Sequence, residues 1–399
     1  MKMQKPKVRF KGFTDDWEQR KFSDIAVRES IAQTSAPDIP SVEYEDVVAE
    51  EGRLNKDIRL KEIKKSGITF DGSQILYGKL RPYLHNWLNP DFKGVAVGDW
   101  WVLKPVDADK DFLYRLIQTQ QFDNIANQSA GSKMPRADWN LISNSVFMVP
   151  LSQEEQGKIG TYFSNLDHII TFHQRKCEQT KKLKKYMLQK MFPKEGQTVP
   201  EIRFEGFTDA WEKRKLGECL VIATRRNGNT YKKDDVLSVS DEFGCVNQIQ
   251  FQGRSFAGND ISTYKIVKEG DIVYTRSPLQ AKPYGIIKVM HGEAGVVSPL
   301  YIVNEPAEGN DSEFLYRVFD TPAKTNNYLC TLVRKGAKNT MNVSEEEWLS
   351  GNIMVAPTYE EQHRIGIYFS NLDHLITLHQ RKCDELQNIK KFMLQNMFI

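Results

Sequence analysis

The sequence EEQGKIGTYFSNLDHIITFHQRKC, residues 154–177, returns almost unchanged as EEQHRIGIYFSNLDHLITLHQRKC, residues 360–383. The two copies are offset by 206 residues. The similarity continues through KKYMLQKMF (184–192) and KKFMLQNMF (390–398). Self-similarity at a fixed offset is the signature of an internal duplication, and it constrains the fold more strongly than any local motif.

A second, shorter repeat opens each half of the chain. RFKGFTDDWEQRK (9–21) is matched by RFEGFTDAWEKRK (203–215), at an offset of 194 residues. The second copy therefore carries twelve more residues between its two repeated blocks. Between these blocks the sequences diverge almost completely, residues 22–150 against 216–356. The chain thus alternates a constant frame with two different inserts.

Each long repeated block has the pattern of a single helix. Residues 152–192 contain no proline, and Pro193 follows them, so one helix of about 40 residues is predicted. Its apolar positions step by four and three, which is the spacing of a coiled-coil seam. The seam residues that we expect at a helix-pair or partner interface are Ile159, Phe163, Leu166, Ile170, Ile365, Phe369, Leu372 and Ile376.

The simplest partner for each helix is the other copy, because both carry the same stripe. We expect antiparallel pairing, with the inserts at opposite ends; parallel pairing would place them side by side. Each insert mixes short apolar runs with turn residues, so the expected class is α+β: two α/β insert domains separated by two long antiparallel coiled-coil helices, with a pseudo-two-fold repeat. The predicted domains are residues 1–150, 151–195, 196–356 and 357–399.

Local patterns predict some elements of the inserts. In the first insert, residues 68–77 are expected to form a strand and residues 111–121 a helix. In the second insert, residues 284–290 and 296–303 are strand candidates.

Two loops in each insert combine small residues with cations. Such loops suit contacts to phosphates and base edges of DNA. An ordinary basic surface turn is the alternative for any one of them, and their occurrence at matching places in both copies favours DNA. The candidate DNA-binding residues are Lys79, Arg81 and Tyr83, then Lys133 and Arg136, then Thr275, Arg276 and Ser277, and finally Lys335, Lys338 and Asn339.

Composition limits what the chain can be. The 55 Lys and Arg residues against 52 Asp and Glu give a net charge of only +3, so any DNA affinity must come from local patches. No run approaches the roughly 18 apolar residues of a membrane span, and the first residues lack the apolar core of a signal peptide. We therefore expect a cytoplasmic protein with no membrane partner. Its five cysteines are expected to be reduced thiols.

No catalytic or metal-binding residue is predicted. The chain has neither the glycine-rich phosphate loop of nucleotide triphosphatases nor a dinucleotide-binding fingerprint. The repeated histidines at 168 and 374 and at 173 and 379 lack a carboxylate or thiol cluster to complete a tetrahedral metal site.

Several motifs together resemble one family. The GFTDDWEQRK and GFTDAWEKRK openings, ILYGKLRPYL (75–84), GSKMPR (131–136) and the two EEQ…HQRK helices are similar to the specificity subunits of bacterial type I restriction-modification systems. The resemblance spans essentially the whole chain.

This resemblance implies a fold and a set of partners. Two target-recognition domains would each read one half of a split site in double-stranded DNA, and the paired helices would fix the spacer. Two methyltransferase subunits would dock on the helices and use S-adenosyl-methionine to modify adenine, and two restriction subunits can join. S-adenosyl-methionine, ATP and Mg would bind to those partners, and no cofactor to this chain. Two alternatives remain open: a coiled-coil scaffold that never touches DNA, and a DNA-modifying enzyme with unrecognised motifs.

Overall fold

The computed structural model describes residues 5–61, 64–128, 133–276, 282–332, 334–335 and 341–399. The chain forms two compact units. Unit 1 is Met1–Arg175 with Gln380–Ile399, and unit 2 is Lys176–His379. Each unit therefore holds one insert together with segments of both long helices. The four domains drawn from the sequence remain a prediction.

Unit 1 begins with short strands and helices and leads into a long helix. Its elements are β1 Glu18–Lys21, α1 Phe22–Ile25, β2 Ala26–Glu29, β3 Ala32–Thr34, β4 Ser41–Val42, β5 Val47–Val48, β6 Arg53–Leu54, β7 Ser66–Phe70, β8 Ile75–Gly78, β9 Trp87–Leu88, β10 Gly94–Ala96, β11 Trp100–Pro105, α2 Lys110–Leu116, α3 Gln120–Ala126, α4 Trp139–Asn144, β12 Val146–Val149 and α5 Gln153–Lys190.

Unit 2 repeats this plan. Its elements are β13 Glu212–Lys215, α6 Leu216–Cys219, β14 Leu220–Ile222, β15 Leu237–Ser240, β16 Gly244–Asn247, α7 Gln248–Gln252, β17 Lys265–Val267, β18 Ile272–Tyr274, β19 Ile287–Val289, β20 Gly295–Val297, β21 Ile302–Pro306, α8 Ser312–Val318, α9 Pro322–Leu329, β22 Arg334–Lys335, β23 Met341–Asn342, α10 Glu345–Ser350, β24 Asn352–Val355 and α11 Tyr359–Met397.

The central sheet of each unit has the same strand order. In unit 1 the order is β2-β11-β8-β9, and in unit 2 it is β14-β21-β18-β19, with every pair antiparallel. Strand β11 is buried on both faces: Trp101 and Leu103 pack into one apolar cluster, while Trp100 and Val102 pack into another. The neighbouring central strand, β8 in unit 1 and β18 in unit 2, ends immediately before a predicted DNA-binding loop.

Several sequence-predicted elements divide into two. The strand expected at residues 68–77 is β7 and β8, because a turn with Gly72 at φ +95° separates them. The helix expected at 111–121 is α2 and α3, because the Thr119 side chain accepts a hydrogen bond from Phe122 N and begins a new helix. In unit 2, the run 296–303 likewise spans the end of β20 and the start of β21.

The long helices pair antiparallel within each unit. In unit 1, Cys383 Sγ lies 3.7 Å from the carbonyl oxygen of Ile170, and Lys390 Nζ lies 2.7 Å from Asp167. Residues nearer the start of α5 thus contact residues nearer the end of α11. This confirms the antiparallel arrangement expected from the sequence. Unit 2 has the matching pairs, Cys177 Sγ with the carbonyl oxygen of Ile376 at 3.9 Å and Lys184 Nζ with Asp373 at 2.7 Å.

The predicted seam residues lie in the cores of the units. Seven of the eight are buried, namely Ile159, Phe163, Leu166, Ile170, Ile365, Phe369 and Leu372, and Ile376 is partly buried. They pack against the inserts as well as against the other helix: Phe163 belongs to a cluster with Trp17, Phe112 and Leu386. The start of each helix is thus part of its insert's interior.

Aromatic residues at the helix ends complete both cores. Phe398 lies 5.4 Å, between ring centroids, from Phe112, and Phe192 lies 5.8 Å from Phe314, both in stacked geometry. Unit 1 therefore takes part of its interior from the end of α11, and unit 2 from the end of α5.

Candidate nucleic-acid interface

The loop after β8 in unit 1 has a constrained backbone. Arg81 adopts the left-handed conformation, with φ of 49°, and its backbone N donates to the carbonyl oxygen of Pro135 at 2.7 Å. The next residue, Pro82, is buried. A non-glycine residue at positive φ costs free energy and persists only where its surroundings fix it. This loop is therefore held in one shape by its neighbours.

The structure brings the two predicted loops of the first insert together. The backbone N of Ala137 donates to the carbonyl oxygen of Lys79 at 2.8 Å, and Leu80 and Arg136 form an isolated β-bridge. The two loops, far apart in sequence, therefore contact each other where residues 79–81 meet residues 135–137.

A carboxylate lies at the junction of these loops. Asp99 binds the guanidinium of Arg136 through both oxygens, with Nε at 3.2 Å and Nη2 at 3.1 Å. The ammonium of Lys79 lies 3.5 Å from the same carboxylate. The hydrogen bond from Arg136 lowers the pKa of Asp99, so its side chain is ionised at neutral pH.

The hydroxyl of Tyr44 forms hydrogen bonds with the backbone on both sides of this junction. Its hydroxyl donates to the carbonyl oxygen of Asp99 at 2.6 Å and accepts from the backbone N of Leu80 at 3.0 Å. Its ring packs edge-on against Trp100, with centroids 4.6 Å apart. Burial raises the pKa of Tyr44, so its hydroxyl keeps its proton and remains a donor.

Several side chains of these loops face solvent. Tyr83 is 52% exposed, Met134 is 47% exposed, and Lys133 and Arg136 are also exposed. An exposed tyrosine beside cations is a combination that can stack on bases and bind phosphates.

The matching loop of unit 2 is built differently. Thr275 is buried, and its hydroxyl accepts from the backbone N of Ile286 at 3.1 Å. Arg276 has a positive φ of 54°, and its guanidinium donates to the carbonyl oxygens of Leu300 at 2.6 Å and Val343 at 3.1 Å. In this conformation both predicted DNA-binding residues support the loop.

Three further predicted residues of the second insert, Ser277, Lys338 and Asn339, lie outside the described residues, as does the side chain of Lys335. Backbone strand β22 contains Lys335.

A buried carboxylate joins the two repeated blocks of each half. In unit 1, Glu155 accepts from Arg9 at 2.6 and 2.7 Å and from the indole N–H of Trp17 at 3.4 Å. Unit 2 reproduces this set, in which Glu361 accepts from Arg203 at 2.7 and 2.8 Å and from Trp211 at 3.2 Å. These contacts connect the short repeated block to the long one in each half.

A second repeated cluster links each insert to both helices. In unit 1, Asp167 on α5 binds Arg115 of α2 at 2.7 Å and Lys390 of α11 at 2.7 Å. In unit 2, Asp373 binds Arg317 at 2.6 Å and Lys184 at 2.7 Å. Our sequence predictions missed these residues, although their identity in both copies was a usable signal. Nothing in the sequence pointed to Asp99 or Tyr44.

Within the described parts of the chain, no group of three or more His, Cys, Asp and Glu side chains could hold a metal ion. None of the helices formed by those residues has the length and apolar character needed to span a bilayer.

Comparisons with known proteins agree with this architecture. The chain is 21% identical over 286 residues to the type I restriction enzyme MjaVIII specificity subunit of Methanocaldococcus jannaschii, covering 67% of this chain. The match spans 64% of that relative, somewhat less than two thirds of its length. The fold is similar to the crystal structure of a type I restriction-modification system S subunit from M. genitalium, with a TM-score of 0.64, 13% identity and 99% coverage of both chains.

The model of the type I restriction modification DNA specificity domain matches twice, at residues 14–182 and 208–388. Each match contains one divergent insert and most of the helix that follows it. The two matches cover most of the sequence, and this chain therefore belongs to the family of type I restriction modification DNA specificity domains.

Proposed function

We propose that this chain is the DNA-recognition subunit of a type I restriction-modification complex. Each insert reads one half of a two-part DNA site, and the long helices determine the spacer between the halves. The observation that carries the proposal is that equivalent ion pairs, Arg115 with Asp167 and Arg317 with Asp373, hold two inserts whose loops differ. A constant frame with two unlike surfaces suits an asymmetric, bipartite target.

The proposed partners are double-stranded DNA, two methyltransferase subunits and, where present, two restriction subunits. Unit 1 has a groove of ≈ 520 Å³ between its insert and the long helices. The helix wall of this groove includes residues that are identical in the other copy: Thr171 and Thr377, Gln174 and Gln380, Lys391 and Lys185. The occurrence of the same helix residues in both copies supports a partner that docks in duplicate.

In this proposal the chain has no catalytic residue and binds no cofactor. S-adenosyl-methionine, ATP and Mg belong to the partner subunits, and the complex works in the cytoplasm, where it reaches the chromosome.

Methylation mapping tests the proposal. The chain is co-expressed with its methyltransferase subunits in a host that lacks adenine methylation, and modified adenines are mapped across the genome. We expect an interrupted motif with two unlike halves. Exchange of residues 216–356 for the insert of another family member should change one half only. Methylation or cleavage by the purified chain alone would instead support an enzyme, and a complex whose DNA binding ignores sequence would support a scaffold.

A further inference from the structure

We propose that Asp99 is a specificity-determining residue of unit 1, which keeps Lys79 and Arg136 from binding DNA phosphates unless a matching base edge is present. This inference rests on the proposed function and deepens it. It assigns discrimination between target DNA and other DNA to a particular residue, which neither the family match nor the repeated blocks identify.

The carboxylate is positioned between cations from two separate loops. Arg136 meets it with a two-point contact at 3.1 and 3.2 Å, and Lys79 Nζ lies 3.5 Å away. The side chain of Asp99 is 26% exposed, whereas those of Lys79 and Arg136 are 31% and 51% exposed. All three groups are therefore accessible to a ligand that approaches the loops.

The backbone of Asp99 is fixed independently of its side chain. Its carbonyl oxygen accepts from Lys79 N at 2.9 Å and from the Tyr44 hydroxyl at 2.6 Å. The carboxylate thus stays at the junction when a cation leaves it. Asp99→Asn keeps these backbone contacts and the side-chain shape, removes the charge and replaces one acceptor oxygen with an amide donor.

A fixed carboxylate affects the two modes of DNA binding differently. Binding without sequence preference comes from cations on phosphates. There the carboxylate competes for Lys79 and Arg136 and repels the phosphate. In the major groove a carboxylate can accept from the amino group of cytosine, while arginine or lysine binds guanine. A matching base pair therefore gives Asp99 a partner, and a phosphate does not. A group that penalises the wrong ligand raises specificity without adding affinity for the right one.

The experiment compares Asp99→Asn with Asp38→Asn in the full chain, assembled with its methyltransferase subunits. Asp38 is a matched control because it pairs with Lys93 at 3.0 Å on the same unit, with side chains 68% and 57% exposed. Dissociation constants are measured at several salt concentrations for two duplexes. One carries the mapped site, and the other has the half-site of unit 1 scrambled.

For Asp99→Asn we expect about 3- to 10-fold tighter binding to the scrambled duplex, because two partly exposed ion pairs no longer hold the cations back. The salt slope on that duplex should steepen by about 0.9 for each new phosphate contact. Binding to the mapped site should be unchanged or weaker, so discrimination falls. Asp38→Asn should change binding to both duplexes equally, by less than about 2-fold. Asp99→Glu, which keeps the charge, should retain most of the discrimination.

Three results would overturn the inference. Equal shifts on both duplexes for Asp99→Asn would show a general charge effect. Weaker binding to both, with a lowered melting temperature, would show a purely structural role, and the same loss of discrimination in Asp99→Glu would remove charge as the cause. A wild-type complex that binds both duplexes equally would overturn the proposed function itself, so the two failures are distinguishable.

Discussion

One oxygen of Asp167 lies 2.7 Å from the ammonium of Lys390, so a residue in the first half of the first long helix binds one near the end of the second. The other oxygen binds Arg115 of the insert at 2.7 Å. Asp373 makes the same two contacts in unit 2, with Lys184 and Arg317. These clusters tie insert, helix and partner helix together at equivalent places.

The two clusters should respond differently to the loss of their aspartate. In unit 2, Arg317 has two more carboxylate partners, Asp320 at 2.9 Å and Glu313 at 2.9 Å. In unit 1, the 2% exposed Arg115 has Asp167 as its carboxylate partner within the part of the chain that the structure describes. Asp167→Asn should therefore cost about 1–3 kcal/mol of unfolding free energy, and Asp373→Asn less than about 1 kcal/mol.

Urea unfolding of both variants, followed by circular dichroism, measures this difference. Equal losses would mean that Asp320 and Glu313 do not compensate for Asp373.

The loop after β8 should contribute to DNA affinity. Lys79→Ala or Arg81→Ala should weaken binding to the mapped site by about 1–3 kcal/mol if the side chain contacts a base edge. If the contact is to a phosphate, the salt slope should instead fall by about 0.9. Lys93→Ala removes the same charge from an exposed pair with Asp38 and serves as the control. If binding by both loop variants equals that of the control, the loop does not contact DNA.

The stability of unit 2 should depend on pH through Lys324. Burial lowers the pKa of this lysine to about 8, and its ammonium lies 3.9 Å from the centroid of the Phe192 ring. Below pH 8 Lys324 is protonated in both the folded and the unfolded state, and the folded state bears the full free-energy cost of burying its charge. Between about pH 8 and 10.5 the unfolded state binds more protons, so stability contributed by this group rises with pH.

Lys324→Met should consequently stabilise the chain by about 1–3 kcal/mol at pH 7. The gain should shrink as the pH rises toward 10.5. Urea midpoints of variant and wild type, measured at pH 7 and pH 9.5, give the comparison, with the exposed Lys93→Met as control. A gain independent of pH would show that packing rather than charge is responsible.

Helix length should determine the spacer of the DNA site. Four residues inserted in both long helices, after Arg175 and after His379, add about 6 Å to each. Because base pairs rise by about 3.4 Å, the methylated motif should gain about one or two base pairs between its halves. An unchanged spacer in methylation mapping would show that the helices do not set it.

The repeat predicted the long helices well, because the spacing of their apolar residues can be read from the local sequence. The four-and-three spacing around Ile159 and Ile365 identified both long helices, and Pro193 indicated where the first one ends. The identity of the two stripes predicted that the helices pair with each other, and the contacts of Asp167 with Lys390 and of Asp373 with Lys184 show that the favoured antiparallel direction is correct. The packing of Phe163 into the insert could not be predicted, because a seam pattern does not show which surface covers it.

The candidate site was only partly predictable. Composition located the loops around Lys79 and Arg136, and the fold brought them together. Asp99 was missed because its role depends on the turn before β11, which places a carboxylate between two cations. Arg276 shows the converse problem: a basic residue in a matching loop donates to backbone carbonyls, and sequence alone does not distinguish these uses.

Each unit completes its interior with the end of the long helix that follows the other insert or precedes its own, and this has a consequence for biosynthesis. The interior of unit 1 is closed by Met397 and Phe398, which leave the ribosome after every residue of unit 2. Unit 2 needs Phe192, which is already made when its own insert is translated. The half that is translated second is thus the first that can finish folding, and the half translated first waits with part of its apolar interior uncovered.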